Sequence, residues 1–280
     1  MATPATDQPC DHFSVMTDHG SPSSPFSPDA PDGPDGEARN DRPVPRPPLD
    51  ALRVLAVQEK PVTAALDHVE LYTLKGLLTL LWHGPRDAHD VVLMCGGAMG
   101  GLLGPADGLY QDLGSAFTDT GIGTIRVGYR TPNDLERCVL DVAAAADIAG
   151  RVGARRFVVV GHSFGGAVAI NTAIALGRHA AGVVTLSTQS AGCEHAELLD
   201  APILLLHGDA DELLPPETSE MVRTLVGHGE LDLLPGDGHL LRESADYLRT
   251  RLGAWIPDRF VPYAEREPEV ERGAEPEPDA

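Results

Sequence analysis

The stretch Gly161-His162-Ser163-Phe164-Gly165-Gly166 carries the sharpest chemical signal in the chain. It follows the apolar run Phe157-Val158-Val159-Val160 and opens a run of small residues. A serine flanked by glycines, where a buried strand turns into a helix, suits a nucleophile on a tight and strained turn, the alternative being an inert serine in a glycine-rich turn; side chains at the flanking positions would clash. The departing helix aims its N-terminus at the same place, which favours developing negative charge. A phosphate loop does not fit, because the Gly-x-Gly-x-x-Gly spacing and a Walker lysine are missing. The chemistry expected is attack on a carbonyl, for which the serine needs a base to take its proton.

The elements that must position this serine alternate in type. Val69–Leu74 and Leu77–Trp82 are apolar runs split by Lys75-Gly76, a hairpin pattern. Val91–Cys95 reads as a buried strand running into Gly96-Gly97, and Leu109–Phe117 has helical spacing. Thr124–Val127 reads as a strand. A helix beginning at Pro132 follows, with Asp134 and Glu136 in its first turn and Gly150 or Gly153 at its end. Phe157–Val160, Val183–Leu186, Ile203–His207 and Leu231–Leu234 read as strands. Ala167–Leu176, Pro216–Val226 and Leu240–Trp255 read as the helices between and after them. This alternation predicts the α/β class, a mostly parallel sheet with helices on both faces. Ligands of such sheets sit at the carboxyl ends of the strands.

With a strand before it and a helix after it, the serine stretch resembles the nucleophile elbow of the α/β-hydrolase fold family. The resemblance extends over about residues 69–256. It implies the chain order serine, acid, histidine. His239, in Pro235-Gly236-Asp237-Gly238-His239-Leu240 after the last strand, is the one histidine of 11 that meets that order and position. The family's His-Gly-x-x-Asp pattern matches His207-Gly208-Asp209-Ala210-Asp211 and implies Asp211 as the acid. Asp209 competes with it but suits a turn residue that binds backbone amides, and Glu212 has too long a side chain. The acid would hold the imidazole tautomer and stabilise the imidazolium. One oxyanion N–H is implied at Phe164. The other is implied in Cys95-Gly96-Gly97-Ala98-Met99-Gly100-Gly101, with Ala98 at the donor position and Gly97 or Met99 as alternative registers. Gly96 stands where many members have His. Cys95 reads as a packing residue. No metal or cofactor is implied. Dienelactone hydrolases share the form but use a cysteine nucleophile, and a haloalkane dehalogenase needs Asp at position 163.

Composition narrows the rest. The chain has 280 residues, 42% hydrophobic, with a formal net charge of −21. That acidity excludes a nucleic-acid binder and an anionic membrane surface as partners. No apolar run approaches a bilayer span and no signal peptide is read, so a cytoplasmic location is expected. The four cysteines show no metal spacing and suit a reducing compartment. Residues 1–50 hold 11 of the 24 prolines and a net charge of −6, and residues 263–280 carry −5. Both are expected to be disordered tails around one domain at 51–262.

Residues 188–202 leave no room for a cap domain between the strands they join. The pocket is therefore expected to be open and shallow, lined by Met99, Leu102, Phe164, Gln189, Leu213 and Leu240. The resulting expectation is a serine hydrolase with Ser163, His239 and Asp211 as triad, acting on small neutral acyl esters. Amide or short-peptide cleavage is the nearest rival, and a non-catalytic binding protein on the same scaffold is the rival of another class.

Overall fold

The computed structural model describes Phe13–Ser14 and residues 46–261. The expected tails at 1–50 and 263–280 lie outside the described residues, apart from Phe13–Ser14 and 46–50. Among the described residues, ten strands form one sheet: β1 (Phe13–Ser14), β2 (Val54–Thr63), β3 (Leu66–Thr73), β4 (Gly76–His83), β5 (Asp90–Cys95), β6 (Gly123–Gly128), β7 (Arg156–His162), β8 (Ala180–Leu186), β9 (Ile203–Gly208) and β10 (Glu230–Leu234). Their spatial order is β1-β2-β3-β4-β6-β5-β7-β8-β9-β10. From β6 through β10 neighbouring strands run parallel, and from β1 to β6 the pairs are antiparallel.

The central strands are apolar on both faces because both faces are covered. Side chains alternate between the faces, so Phe157 and Val159 join one core cluster while Val158 and Val160 join the other. Ile203 and Leu205 are divided from Leu204 and Leu206 in the same way. Helices α2 (Leu109–Thr118) and α6 (Ala245–Phe260) cover one face. Helices α1 (Pro48–Leu52), α3 (Leu135–Val152), α4 (Phe164–Leu176) and α5 (Glu217–Val226) cover the other. Helix α4 is buried nearly all round, as its Ala- and Gly-rich sequence permits between the sheet and α3.

The chain leaves β5 for β6 on one side and returns to β7 on the other. The strand order thus reverses at β5, which marks the carboxyl ends of β5 and β7 as the place where open α/β sheets hold their ligands. Between β8 and β9, residues 187–202 hold one 3-10 turn, Ala196–Leu198, and no cap domain.

Three sequence expectations shift. Pro132 lies in a turn, and α3 starts at Leu135 with Asp134 as its N-cap, whose carboxylate accepts the Arg137 N–H at 3.2 Å. The last helix starts at Ala245 rather than Leu240, because Asp237 holds the Glu243 and Ser244 N–H groups and Leu241 takes a left-handed φ of 52°. Strand β2 and helix α1 were not foreseen. Leu49 and Leu52 of α1 are buried, so the fold crosses the boundary expected between residues 50 and 51.

Candidate active site

The strand β7 ends at His162, and Ser163 follows with φ 57° and ψ −122°. Serine at a helix N-cap ordinarily has extended backbone and accepts a first-turn N–H through its hydroxyl. Here the rotated backbone leaves Ser163 without a side-chain capping bond, so its Oγ is not used by the helix it precedes. The Ser163 N–H donates to Leu186 O at 2.8 Å, which fixes the turn against β8. A Cβ on Gly161 would lie 1.9 Å from Gly165 O, and one on Gly165 would lie 2.4 Å from Gly96 O. The glycines are there because the strand, the helix and the loop after β5 meet at backbone distance. Phe164 is the first helical residue, so its N–H is among those without an intrahelical partner.

The loop after β5 sits directly on this turn. Gly97 and Gly100 pair as an isolated bridge, with Gly100 N–H donating to Gly97 O at 2.8 Å, so Ala98 and Met99 form the tip between them. The Cβ position of Gly97 is 3.6 Å from Ser163 Cβ. Two buried tyrosines hold the loop from beneath. Tyr110 donates to Cys95 O at 2.8 Å, and Tyr129 donates to Gly96 O at 3.0 Å. Burial raises both phenols well above their usual range, which keeps their protons in place for these bonds. Burial also raises the Cys95 thiol, consistent with a packing role.

The Asp211 and His239 loops are locked together. A Cβ on Gly208 would lie 2.2 Å from Asp237 O, and Ala210 N–H donates to that carbonyl at 2.9 Å. His239 Nδ1 then meets Asp211 Oδ2 at 2.7 Å, while Asp211 Oδ1 accepts the Leu213 and Leu214 N–H groups at 2.9 Å each. Burial alone would raise the Asp211 carboxyl. The Leu214 N–H, the His239 ring and the Leu213 N–H outweigh it, and its pKa is lowered. A carboxylate so held is an orienting anion for the imidazole. Asp209 does what a turn residue does, accepting Gly236 N–H at 2.6 Å across the loop pair.

His162 ties the serine turn to the histidine loop. Its Nε2 donates to His239 O at 3.0 Å, and the two rings stand 4.9 Å apart between centroids. Burial lowers its pKa to about 4, so near neutrality it is an uncharged donor. Sequence reasoning missed this role, although His162 lies inside the motif that drew attention. It also missed Asp237, which is 1% exposed and grips the N–H groups of Gly238, Glu243 and Ser244 beside His239.

The expected lining residues divide. Met99, Leu213 and Leu240 are 94%, 68% and 44% exposed, one on each of the three loops that carry Ala98, Asp211 and His239. Leu240 O also accepts the Ala106 N–H at 2.8 Å, hooking the histidine loop to the chain before α2. Leu102 packs inward near Gly128, and Gln189 donates to Ala191 O at 2.8 Å. Phe164 is buried edge-on against Tyr129, so its side chain belongs to the core rather than to a pocket lining.

Residues 139–245, under half of the chain, match the phospholipase/carboxylesterase family model. Among solved structures, Est1E from Butyrivibrio proteoclasticus is similar at 15% identity and a TM-score of 0.60, covering 69% of this chain and 98% of that one. A dienelactone hydrolase from Anabaena variabilis is similar at 18% identity and a TM-score of 0.57, covering 71% and 96%. A monoacylglycerol lipase from Paleococcus ferrophilus is similar at 17% identity and a TM-score of 0.54, covering 65% and 99%. At these identities the structural likeness is one of fold. No curated protein matches in sequence. No helix among the described residues is long and apolar enough to cross a membrane.

Proposed function

We propose that this chain, a hydrolase of the α/β-hydrolase fold, cleaves small carboxylic esters through Ser163, His239 and Asp211. The observation that carries the reading is the 2.7 Å bond from His239 Nδ1 to a buried carboxylate that also accepts two backbone N–H groups, with the His239 loop tied by His162 to the strained, uncapped Ser163. With Nδ1 engaged by Asp211, Nε2 is the nitrogen left to take the Ser163 proton. Ser163 Oγ attacks the ester carbonyl, and the oxyanion is held by the Phe164 N–H and an N–H of the Gly97–Met99 turn. His239 passes its proton to the departing alcohol, and a water then cleaves the acyl-enzyme by the same steps in reverse. The family match supports ester over amide. The exposed Met99, Leu213 and Leu240 side chains support short, neutral, apolar acyl groups.

The test is a panel of activated acyl esters of varied chain length, run on the native protein and on Ser163→Ala, with fluorophosphonate labelling of both. Turnover and labelling in the native protein, lost together in Ser163→Ala, support the reading. Equal labelling of the two proteins would move the assignment to a non-catalytic binding role.

A further inference from the structure

His207 is fully buried in β9, four residues before the orienting acid, and the proposed chemistry does not use it. Both of its ring nitrogens are engaged. Nδ1 lies 2.6 Å from Ser219 Oγ in α5, whose side chain is also buried. Nε2 lies 2.9 Å from Leu214 O and 3.2 Å from Asp211 Oδ2. Both neighbours of Nε2 are acceptors, so the hydrogen sits on Nε2 and Nδ1 accepts the Ser219 hydroxyl proton. The ring therefore acts on Asp211 twice. It pins the Leu214 carbonyl, and the N–H of that same residue grips Asp211 Oδ1. It also sets the positive end of an N–H dipole beside Oδ2, the oxygen that meets His239.

We propose that His207, with its tautomer set by Ser219, is a positioning residue for the reaction. It holds the Asp211 carboxylate in one orientation and moderates its basicity towards His239. This rests on the triad assignment above and extends it inward to a chain Ser219–His207–Asp211–His239. Other titratable groups around the cluster are accounted for. His162 faces His239 from β7. Asp209 is turned to Gly236 N–H, Asp237 to three backbone N–H groups, and Glu212 and Glu217 are exposed.

Three variants of the full chain test this. His207→Phe keeps the ring volume and removes both polar contacts. His207→Gln keeps an N–H that can reach Leu214 O. Ser219→Ala removes only the hydroxyl that fixes the tautomer, and it serves should the phenylalanine variant fail to fold. Two readouts are needed: the pH profile of kcat/KM on an activated acyl ester, and the ring signals of His239 in 15N-histidine-labelled protein. Loss of a hydrogen-bonding group beside a charge predicts a fall in kcat of about ten- to a hundredfold in His207→Phe, with KM little changed. It also predicts an upward shift of the His239 titration midpoint, because Asp211 Oδ2 becomes a better acceptor. His207→Gln recovers most of both, and Ser219→Ala moves the midpoint in the same direction by less. A merely structural role would lower the melting temperature and leave the His239 midpoint where it is. That result in folded His207→Phe or in Ser219→Ala overturns the proposal, as does a His207→Gln variant as impaired as His207→Phe. If the native protein turns over no ester, the functional reading fails by itself, and the His239 signals still decide the part played by His207.

Discussion

Replacing Asp211 by Asn tests the site on one atom. Every group that contacts this carboxylate is an N–H donor or a ring nitrogen: Leu213 and Leu214 on Oδ1, His239 and His207 on Oδ2. An amide has one oxygen, so it must turn its NH2 towards one pair. The backbone N–H groups cannot become acceptors, whereas His239 Nδ1 can, by moving its proton to Nε2. The amide oxygen therefore stays with Leu213 and Leu214, and the NH2 faces His239. That places the His239 proton on the nitrogen that must accept from Ser163, and the base is blocked. The expected loss in kcat is about 10⁴-fold, or about 5.4 kcal/mol of transition-state stabilisation. The folding cost is about 1–2 kcal/mol, for one ring hydrogen bond rearranged and one donor left facing His207. In Asp209→Asn the amide oxygen still accepts Gly236 N–H, so turnover should stay within about tenfold of native, since a neutral bond of this kind is worth about 1 kcal/mol. Burst and steady-state kinetics on an activated acyl ester, with urea unfolding of both variants, separate the two effects. An Asp211→Asn protein within tenfold of native, or a crippled Asp209→Asn, would refute the assignment of the acid.

Acid should weaken the fold through His162. Its folded pKa of about 4 lies below the ordinary 6.5, so the unfolded chain binds the extra proton between those values and stability rises with pH across that window. Going from pH 7 to 4 should cost about 3 kcal/mol from this group, and His162→Gln should flatten the slope; equal slopes in urea unfolding would count against the burial argument. In Gly165→Ala the new Cβ meets Gly96 O at 2.4 Å and Cys95 O at 2.9 Å, so the loop after β5 must move. Ester turnover should fall by more than the overpacking cost of about 1–3 kcal/mol explains, and a variant with native kcat would argue against an oxyanion role for that loop. Across p-nitrophenyl esters from acetate to palmitate, kcat/KM should climb over the first few carbons, each CH2 worth up to about 0.8 kcal/mol, and then level off, because side chains as exposed as Met99 and Leu213 bury little. A jump in rate when long esters form micelles would contradict the open, uncapped site.

The central sheet was legible because its physics is local. Strands covered on both faces must be apolar along their middles, and Val91–Cys95 of β5, Phe157–Val160 of β7 and Ile203–Leu206 of β9 are. Strand β2 hid because it obeys a different rule. Its sequence Val-Leu-Ala-Val-Gln-Glu-Lys-Pro-Val-Thr pairs near the sheet margin, most of it exposed and none of it buried, so charges and Pro61 are tolerated there and the apolar signal is diluted. Helix α1 is five residues long and owes its place to Leu49 and Leu52 packing beneath the sheet near α3, with Leu49 N–H also held by Asp147 across 98 positions. A contact of that range leaves no mark in the residues next to it. The start of α6 was misread for a related reason: Asp237 holds the N–H groups of Glu243 and Ser244, and a side chain six and seven positions away cancels a helical pattern that Leu240 and Leu241 appear to begin.

The candidate site divides along the same line. Ser163, Asp211 and His239 each sit in a turn whose glycines betray it, since Gly161, Gly165 and Gly208 are fixed by backbone approaching backbone. Their polar support has no such signature. His162 and His207 stand inside the very motifs that locate the site, yet nothing in their spacing distinguishes a hydrogen-bonded buried ring from a surface one. Only the folded chain brings His162 to the His239 carbonyl, 77 positions on, and Ser219 to His207. A neutral imidazole in the interior is costly unless both nitrogens find partners, and the folded chain supplies two for His207 and engages Nε2 of His162. The three residues of the proposed triad can thus be read from local backbone demands, whereas the groups that set their orientation are visible only through long-range contacts. Variants at His162, His207 and Ser219 would therefore look neutral by motif and prove consequential by measurement.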